Sequence, residues 1–246
     1  MTDSVSHADT RDMYMVHTAF RREFSALPNL VRNVPAGDTQ RSQVIGEHID
    51  ILCAYLHAHH HSEDMHLWPR LLDRGAREVA PIVHLMEGQH ENIERLSAEA
   101  GRVTGAWLAH PALEGSDALA DVLEQLFHAL DEHMRLEEQR ILPLAEEYIT
   151  AEEWRAMAAE SGRAIPQERI PLVFGMTLYE ANPQVIQKTL AELPTEVRGI
   201  LYAQGERAFS SHSERVHGTA TPSRSGTVMR DPKDHRLQWP NHRKRN

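Results

Sequence analysis

Residues 119–144 read LADVLEQLFHALDEHMRLEEQRILPL. Leu119, Leu123, Leu126 and Leu130 recur at alternating spacings of four and three, the apolar stripe of a helix that packs along one side. Continued in register, the stripe meets His133 and Glu137 before Leu144 resumes it. Polar groups stand where leucines should be. Residues 45–63, IGEHIDILCAYLHAHHHSE, repeat the device, with Ile45, Ile49, Leu52 and Leu56 leading into His59 and Glu63. Two further helical stretches carry one histidine each on the apolar face. The first has Met13, His17, Phe20, Phe24 and Leu27, and the other Val83, Met86, His90 and Ile93.

Working outward, punctuation sets the elements. The first helix is expected from Asp9 to Leu27, ending before Pro28, and the second from Thr39 to Arg74, bent near Pro69 and stopped by Gly75. A third should run from Val79, with Pro81 in its first turn, to just before Pro111. The fourth should run from Ser116 to Ile149, with Pro143 bending its last turns. Thr150 and Glu153 have the spacing of a capping box that opens a short fifth helix. Strand and hairpin signals are weak throughout. Long helices on short connections predict an all-α fold, an antiparallel up-down four-helix bundle with a C-terminal helical extension. The bundle should occupy residues 1–160, the extension 161–218 and a disordered basic tail 219–246.

A carboxylate or imidazole buried without a partner costs several kcal/mol, and no Lys or Arg shares these stripes near the six residues. His and Glu at i and i+4 project from one helix face and can clamp a shared ion. Depth agrees: Glu63 lies 12 residues before Gly75 and His90 lies 15 after it, while His90 and Glu137 each lie 21 residues from Pro111 and Ser116. Between the first two helices the levels match only if the second overhangs the first by ~15 Å, which the Pro28–Asp38 loop can span. Four imidazoles and two carboxylates able to bridge suit a pair of first-row metal ions, iron in preference to zinc. Neutral imidazoles in place of anionic ligands should stabilise ferrous over ferric iron, favouring binding or gentle reduction of oxygen species.

Composition narrows the classes. The chain has 246 residues, 41% hydrophobic, with a net charge of −10. The 219–246 stretch carries +5 and the rest −15, so an acidic body repels polyphosphate and no nucleic acid is expected as partner. No apolar run is long enough for a membrane span, and none is expected to bind a membrane. Cys53 is the single cysteine, which excludes an internal disulfide and a thiolate metal cluster. With no basic start and apolar run at the N-terminus, a cytoplasmic location is expected.

His17, the run His59-His-His-Ser-Glu63-Asp64 with Leu67-Trp-Pro69, Glu87-Gly-Gln-His90, and His133-Met-Arg-Leu-Glu137 leading to Pro143 together resemble the hemerythrin-like (HHE cation-binding) family. The resemblance covers residues 9–150, and its two H-x-x-x-E elements, each followed by an apolar-Pro end, are specific in combination. It implies a non-haem di-iron centre, oxo- or hydroxo-bridged, with His17, His59, His90 and His133 as ligands and Glu63 and Glu137 bridging. Oxygen-carrying hemerythrins have a second histidine one turn before the third-helix ligand; here that position is Met86, and a thioether is a poor ligand for hard iron. The position is open, or is filled by water, an oxygen species or another side chain. The segment from Pro166 to Gly218 resembles an extension of actinobacterial-type members.

Other readings bound this one. Tyr55 is expected in core packing rather than reaching the metal. His57, His60, His61 and His66 are expected to face solvent or lie outside the ligand set, His84 to lie on the surface, and His212 and His217 to be structural. Glu138 would replace Glu137 if the fourth helix were rotated by one residue. The function expected is binding of, or reaction with, dioxygen or a related species such as peroxide or nitric oxide. An enzymatic version would be a peroxide-consuming or oxygen-using di-iron oxidoreductase. The alternatives are a sensor or regulatory module whose metal loading controls a partner, and plain iron binding.

Overall fold

The structure, a computed structural model, describes residues 6–225 except 76, 78, 112 and 192–194. Four long helices, α1 (Arg11–Arg32), α2 (Thr39–His66), α4 (Ala80–Ala109) and α5 (Leu113–Arg140), form the antiparallel bundle. Each packs against two others: α1 lies against α2 and α5, and α4 completes the ring between them. The fold is all-α, and no strand occurs among the described residues.

The first helix is longer than its proline predicts. Pro28 lies inside α1, which continues to Arg32. A proline removes one hydrogen bond from a helix interior. Here the added turn buries Val31 beside Leu27, and Arg32 meets Asp121 and Glu124 on α5. The longer helix also halves the offset expected between His17 and His59. His17 stands 15 residues before Arg32 and His59 stands 20 after Thr39, a mismatch of five residues or roughly 7 Å of rise.

α2 and α5 are interrupted where bends were expected. The helices stop at His66 and Arg140, and short helices α3 (Trp68–Arg74) and α6 (Leu142–Tyr148) follow. Pro69 and Pro143 open these helices, where a missing N–H costs nothing. Each break falls one turn after a stripe glutamate: Leu67 N–H donates to the Glu63 carbonyl and Ile141 N–H to that of Glu137, both at 2.8 Å. The polar layer therefore sits between two apolar clusters. One contains Phe20, Phe24, Leu52, Leu56, Leu126 and Leu130, and the other Leu67, Trp68, Leu71, Met86, Ile141 and Leu142. Burying each such leucine stabilises by about 1.5–3 kcal/mol, so the two clusters fix the helix faces that bracket the layer.

Beyond the bundle, the capping box forms at the head of α7 (Ala151–Ala164): Glu153 N–H donates to Thr150 Oγ1 and Thr150 N–H donates to Glu153 Oε2. A 3-10 turn at Gln167–Arg169 leads into α8 (Ile170–Leu178), α9 (Pro183–Ala191) and α10 (Thr195–His217). α7 packs on α2, and α8 packs on α1 and α10. The α8–α10 crossing depends on glycine, because a Cβ on Gly175 would lie 2.0 Å from the Gly205 carbonyl oxygen. Of the stretch expected to be disordered, residues 219–225 are described. Tyr179 donates to the Pro222 carbonyl and Ser225 donates to Glu180. The remainder, 226–246, lies outside the described residues. Among the described residues no helix is long and apolar enough to cross a membrane.

Candidate metal centre

The six stripe residues converge. His17, Glu63, His133 and Glu137 are wholly buried, and His59 and His90 nearly so. They come from all four bundle helices. His17 Nε2 lies 3.2 Å from Glu137 Oε2, His59 Nε2 3.1 Å from Glu63 Oε1, and His90 Nε2 3.5 Å from Glu63 Oε2. His133 Nε2 lies 3.6 Å from Glu137 Oε2. Each glutamate thus meets one histidine of its own helix and one of another helix.

The donors divide into two groups. His17, His59 and Glu137 form one, and His60, Glu63, His90 and His133 form the other, with the ligand atoms of each group within 4.8 Å of one another. The two glutamates tie the groups together through the contacts just given. His60, expected to face solvent or to lie outside the ligand set, does not face solvent. It is buried, its ring stacked on His90 at 4.0 Å between centroids. The signal was present: Leu56, His60, Glu63 and Leu67 make a second helical stripe beside the first, and both its leucines are buried. α2 sits with its edge in the seam, so adjacent residues 59 and 60 both point inward, towards different neighbours.

Outer contacts fix the ring orientations. His90 Nδ1 donates to Asp64 Oδ1 at 2.7 Å, and Trp68 Nε1 donates to the same oxygen at 2.8 Å. His17 Nδ1 donates to Glu138 Oε1 at 2.9 Å, which also accepts from Arg21 at 2.7 Å. His133 Nδ1 faces Gln89 Oε1 at 3.2 Å. Protons held on these outer nitrogens leave lone pairs at Nε2, the arrangement of an imidazole poised to bind a cation. For His90 and His133 the two Nε2 atoms are only 3.2 Å apart. At that distance one nitrogen can donate a proton to the other, or both lone pairs can share a cation. Glu138 is therefore an outer partner of His17, and Glu137 is the inner carboxylate.

Electrostatics agree. Burial and neighbouring histidines hold His59, His60 and His133 well below the usual imidazole range, so all three are neutral. His17 is the exception: burial opposes its charge, yet Glu137 and Glu138 outweigh burial and raise its pKa, so a cation there must displace a proton. Burial, then Glu137, pushes Glu63 well above the ordinary carboxylate value; Glu137, against burial, is held down by His17, His133 and His90. Most telling are the orphans. His17 Nε2, His59 Nε2, His60 Nε2 and all four carboxylate oxygens of Glu63 and Glu137 are buried without a hydrogen bond. Native cores leave few such atoms, and here seven point into one layer.

A hemerythrin HHE cation-binding domain model matches residues 8–145. The chain belongs to that family. Comparison with curated proteins and with solved structures finds no match. The family is one of cation-binding helical domains, and the orphaned donor atoms fit a cation by their chemistry, since imidazole nitrogens and carboxylate oxygens suit first-row divalent metals.

The remaining expected positions separate cleanly. Met86 is fully buried in the second apolar cluster. Tyr55 packs on Phe20, and its hydroxyl bonds to Thr177 on α8 at 3.0 Å, away from the donors. His57, His61 and His84 are exposed. Two cavities flank the centre. One of about 520 Å³ is polar, bounded by His57, His60, Asp64, Glu87, His90 and Glu94. The other, of about 650 Å³, has His59 in its wall and is lined mainly by apolar groups such as Met13, Met15, Met157, Val173 and Phe174.

Proposed function

We propose that the chain is a non-haem di-iron protein that binds or reacts with dioxygen or a related species such as peroxide or nitric oxide. The observation that carries this reading is the seven orphaned donor atoms in one buried layer. One ion would be held by His17, His59 and Glu137, the other by His60, His90 and His133 with Glu63, and each carboxylate would be shared. His60 thereby supplies the imidazole that Met86 does not. When bound, two iron ions supply electrons to, or a Lewis-acidic site for, a small oxygen species.

The chain's own groups do the rest. Asp64, Gln89 and Glu138 hold three rings with their lone pairs inward. The acidic, histidine-rich cavity beside His60 and His90 draws cations towards the centre. The apolar cavity beside His59 suits an uncharged small molecule, which dissolves better there than in a polar channel. Asp12 lies in that same cavity, and burial pushes its carboxyl up to about 6, so it can hold or release a proton near neutral pH. Because Met157 of α7 and Val173 and Phe174 of α8 help wall this cavity, a sensor reading has physical support as well: ligand at His59 would be felt by α7 and α8.

The test is anaerobic reduction followed by titration with dioxygen, peroxide and nitric oxide, monitored by absorption. The proposal expects saturable spectral changes with at least one of these, lost in His133→Ala. Reduced, iron-loaded protein that responds to none of them refutes it. Metal-dependent protease protection confined to the extension, without turnover, favours the sensor.

A further inference from the structure

A second histidine–carboxylate group lies where α1, α2 and α10 meet, and it shares no residue with the metal centre. Glu23 and His48 have no solvent exposure, and His212 and His217 reach them from the last turns of α10. Glu23 Oε1 accepts from Arg22 Nε at 2.6 Å, and Arg22 is itself anchored on the Met176 carbonyl at 2.8 Å. That leaves Oε2 turned inward, 3.0 Å from His217 Nε2 and 3.3 Å from His48 Nε2. The three atoms belong to a set lying within 4.8 Å of one another.

His48 Nε2 is the informative atom. It is buried and forms no hydrogen bond, although it points at the carboxylate. Its other nitrogen, Nδ1, lies 3.0 Å from His212 Nε2. At that distance His212 Nε2 can accept the proton of His48 Nδ1. With the proton on His48 Nδ1, a lone pair at Nε2 faces Glu23. Such an outward bond from the far nitrogen is how ligating imidazoles are steered.

We propose that Glu23, His48 and His217 form a separate mononuclear site for a divalent metal, with zinc the best match, that fastens α10 to α1 and α2. Two imidazoles and one carboxylate with a fourth position for water is an established zinc ligand set. The function inferred is a clasp that holds the C-terminal extension on the bundle.

Full-length protein as purified is equilibrated with excess zinc, freed of unbound metal, and its iron and zinc counted by mass spectrometry. The parent should carry about one more metal ion than the metal centre holds. His48→Gln and His217→Gln should each lose that ion and keep the content of the centre. Glu137→Ala should lose the centre's ions and keep this zinc, so the two sites fail separately. His217 is partly exposed at the end of α10, so His217→Gln serves if His48→Gln does not fold. Zinc-edge absorption should report two imidazoles on the ion. A folded His217→Gln protein with the parent's zinc content overturns the proposal. So does a parent that takes up no zinc beyond the centre, leaving Glu23 as the hub of an ion-pair network alone.

Discussion

Glu63→Gln should act in opposite directions on the metal-free and metal-loaded protein. Glu63 is fully buried with both carboxylate oxygens lacking hydrogen bonds, and Glu137 faces the same layer. Burial and that neighbour raise its pKa well above the ordinary 4.5. A carboxyl whose pKa is higher folded than unfolded penalises folding above its unfolded value. The penalty grows by about 1.4 kcal/mol per pH unit above 4.5. At pH 7 the cost therefore cannot exceed about 3 kcal/mol, the full span between 4.5 and 7. Glutamine has the same shape and no such cost, so chelator-treated Glu63→Gln should be more stable than the parent at pH 7, by up to about 3 kcal/mol. The two should converge towards pH 4.5. With metal present the order reverses, because a neutral amide holds a cation poorly. Urea unfolding with and without metal, at pH 7 and pH 5, reads both effects. If the metal-free variant is less stable than the parent at pH 7, or metal content is unchanged, the reasoning about the buried carboxylates fails.

Asp64→Ala removes the carboxylate that steers His90 from outside, and should weaken metal binding by about 10–100-fold in chelator competition; unchanged affinity would dismiss the outer bond as incidental. Burial raises Asp12 from 3.8 to about 6, so its penalty appears as pH rises through that interval. Asp12→Asn, which keeps an acceptor for Trp154, should be more stable at pH 8 by up to about 3 kcal/mol and equal to the parent at pH 3.5. Equal stability at both pH values would refute the assignment. Gly175→Ala drives a methyl group into the Gly205 carbonyl, and should expose α10 to protease at a cost of about 1–3 kcal/mol while leaving iron content intact. An unaltered digestion pattern would mean the crossing can relax.

Much of this site was legible in the sequence because a bundle has a strict period. A histidine or glutamate standing in a leucine stripe, as at residues 59, 63, 133 and 137, can be placed in the core from spacing alone. A single stripe per helix does not mark His60, because α2 presents an edge to two neighbours and buries both residues 59 and 60. Pro28 misled for a related reason: local chemistry ends the helix there, but burial of Val31 and the contacts of Arg32 carry it on. Asp64, Gln89 and Arg21 act through contacts between elements far apart in sequence, which periodicity does not encode. The same holds for Glu23, His48 and His217, whose meeting depends on where α10 docks. The capping box at Thr150 and Glu153 was readable in full, since all its partners lie within four residues.

The central claim is a pair of metal ions in the layer between the two apolar clusters. Anomalous diffraction from crystals of the aerobically purified protein, collected on both sides of the iron absorption edge, tests it most directly. Two iron peaks should appear close together, one against His17, His59 and Glu137 and the other against His60, His90 and His133, with Glu63 and Glu137 touching both. A single peak, peaks at the zinc edge alone, or a layer filled by water hydrogen-bonded to these rings would contradict it.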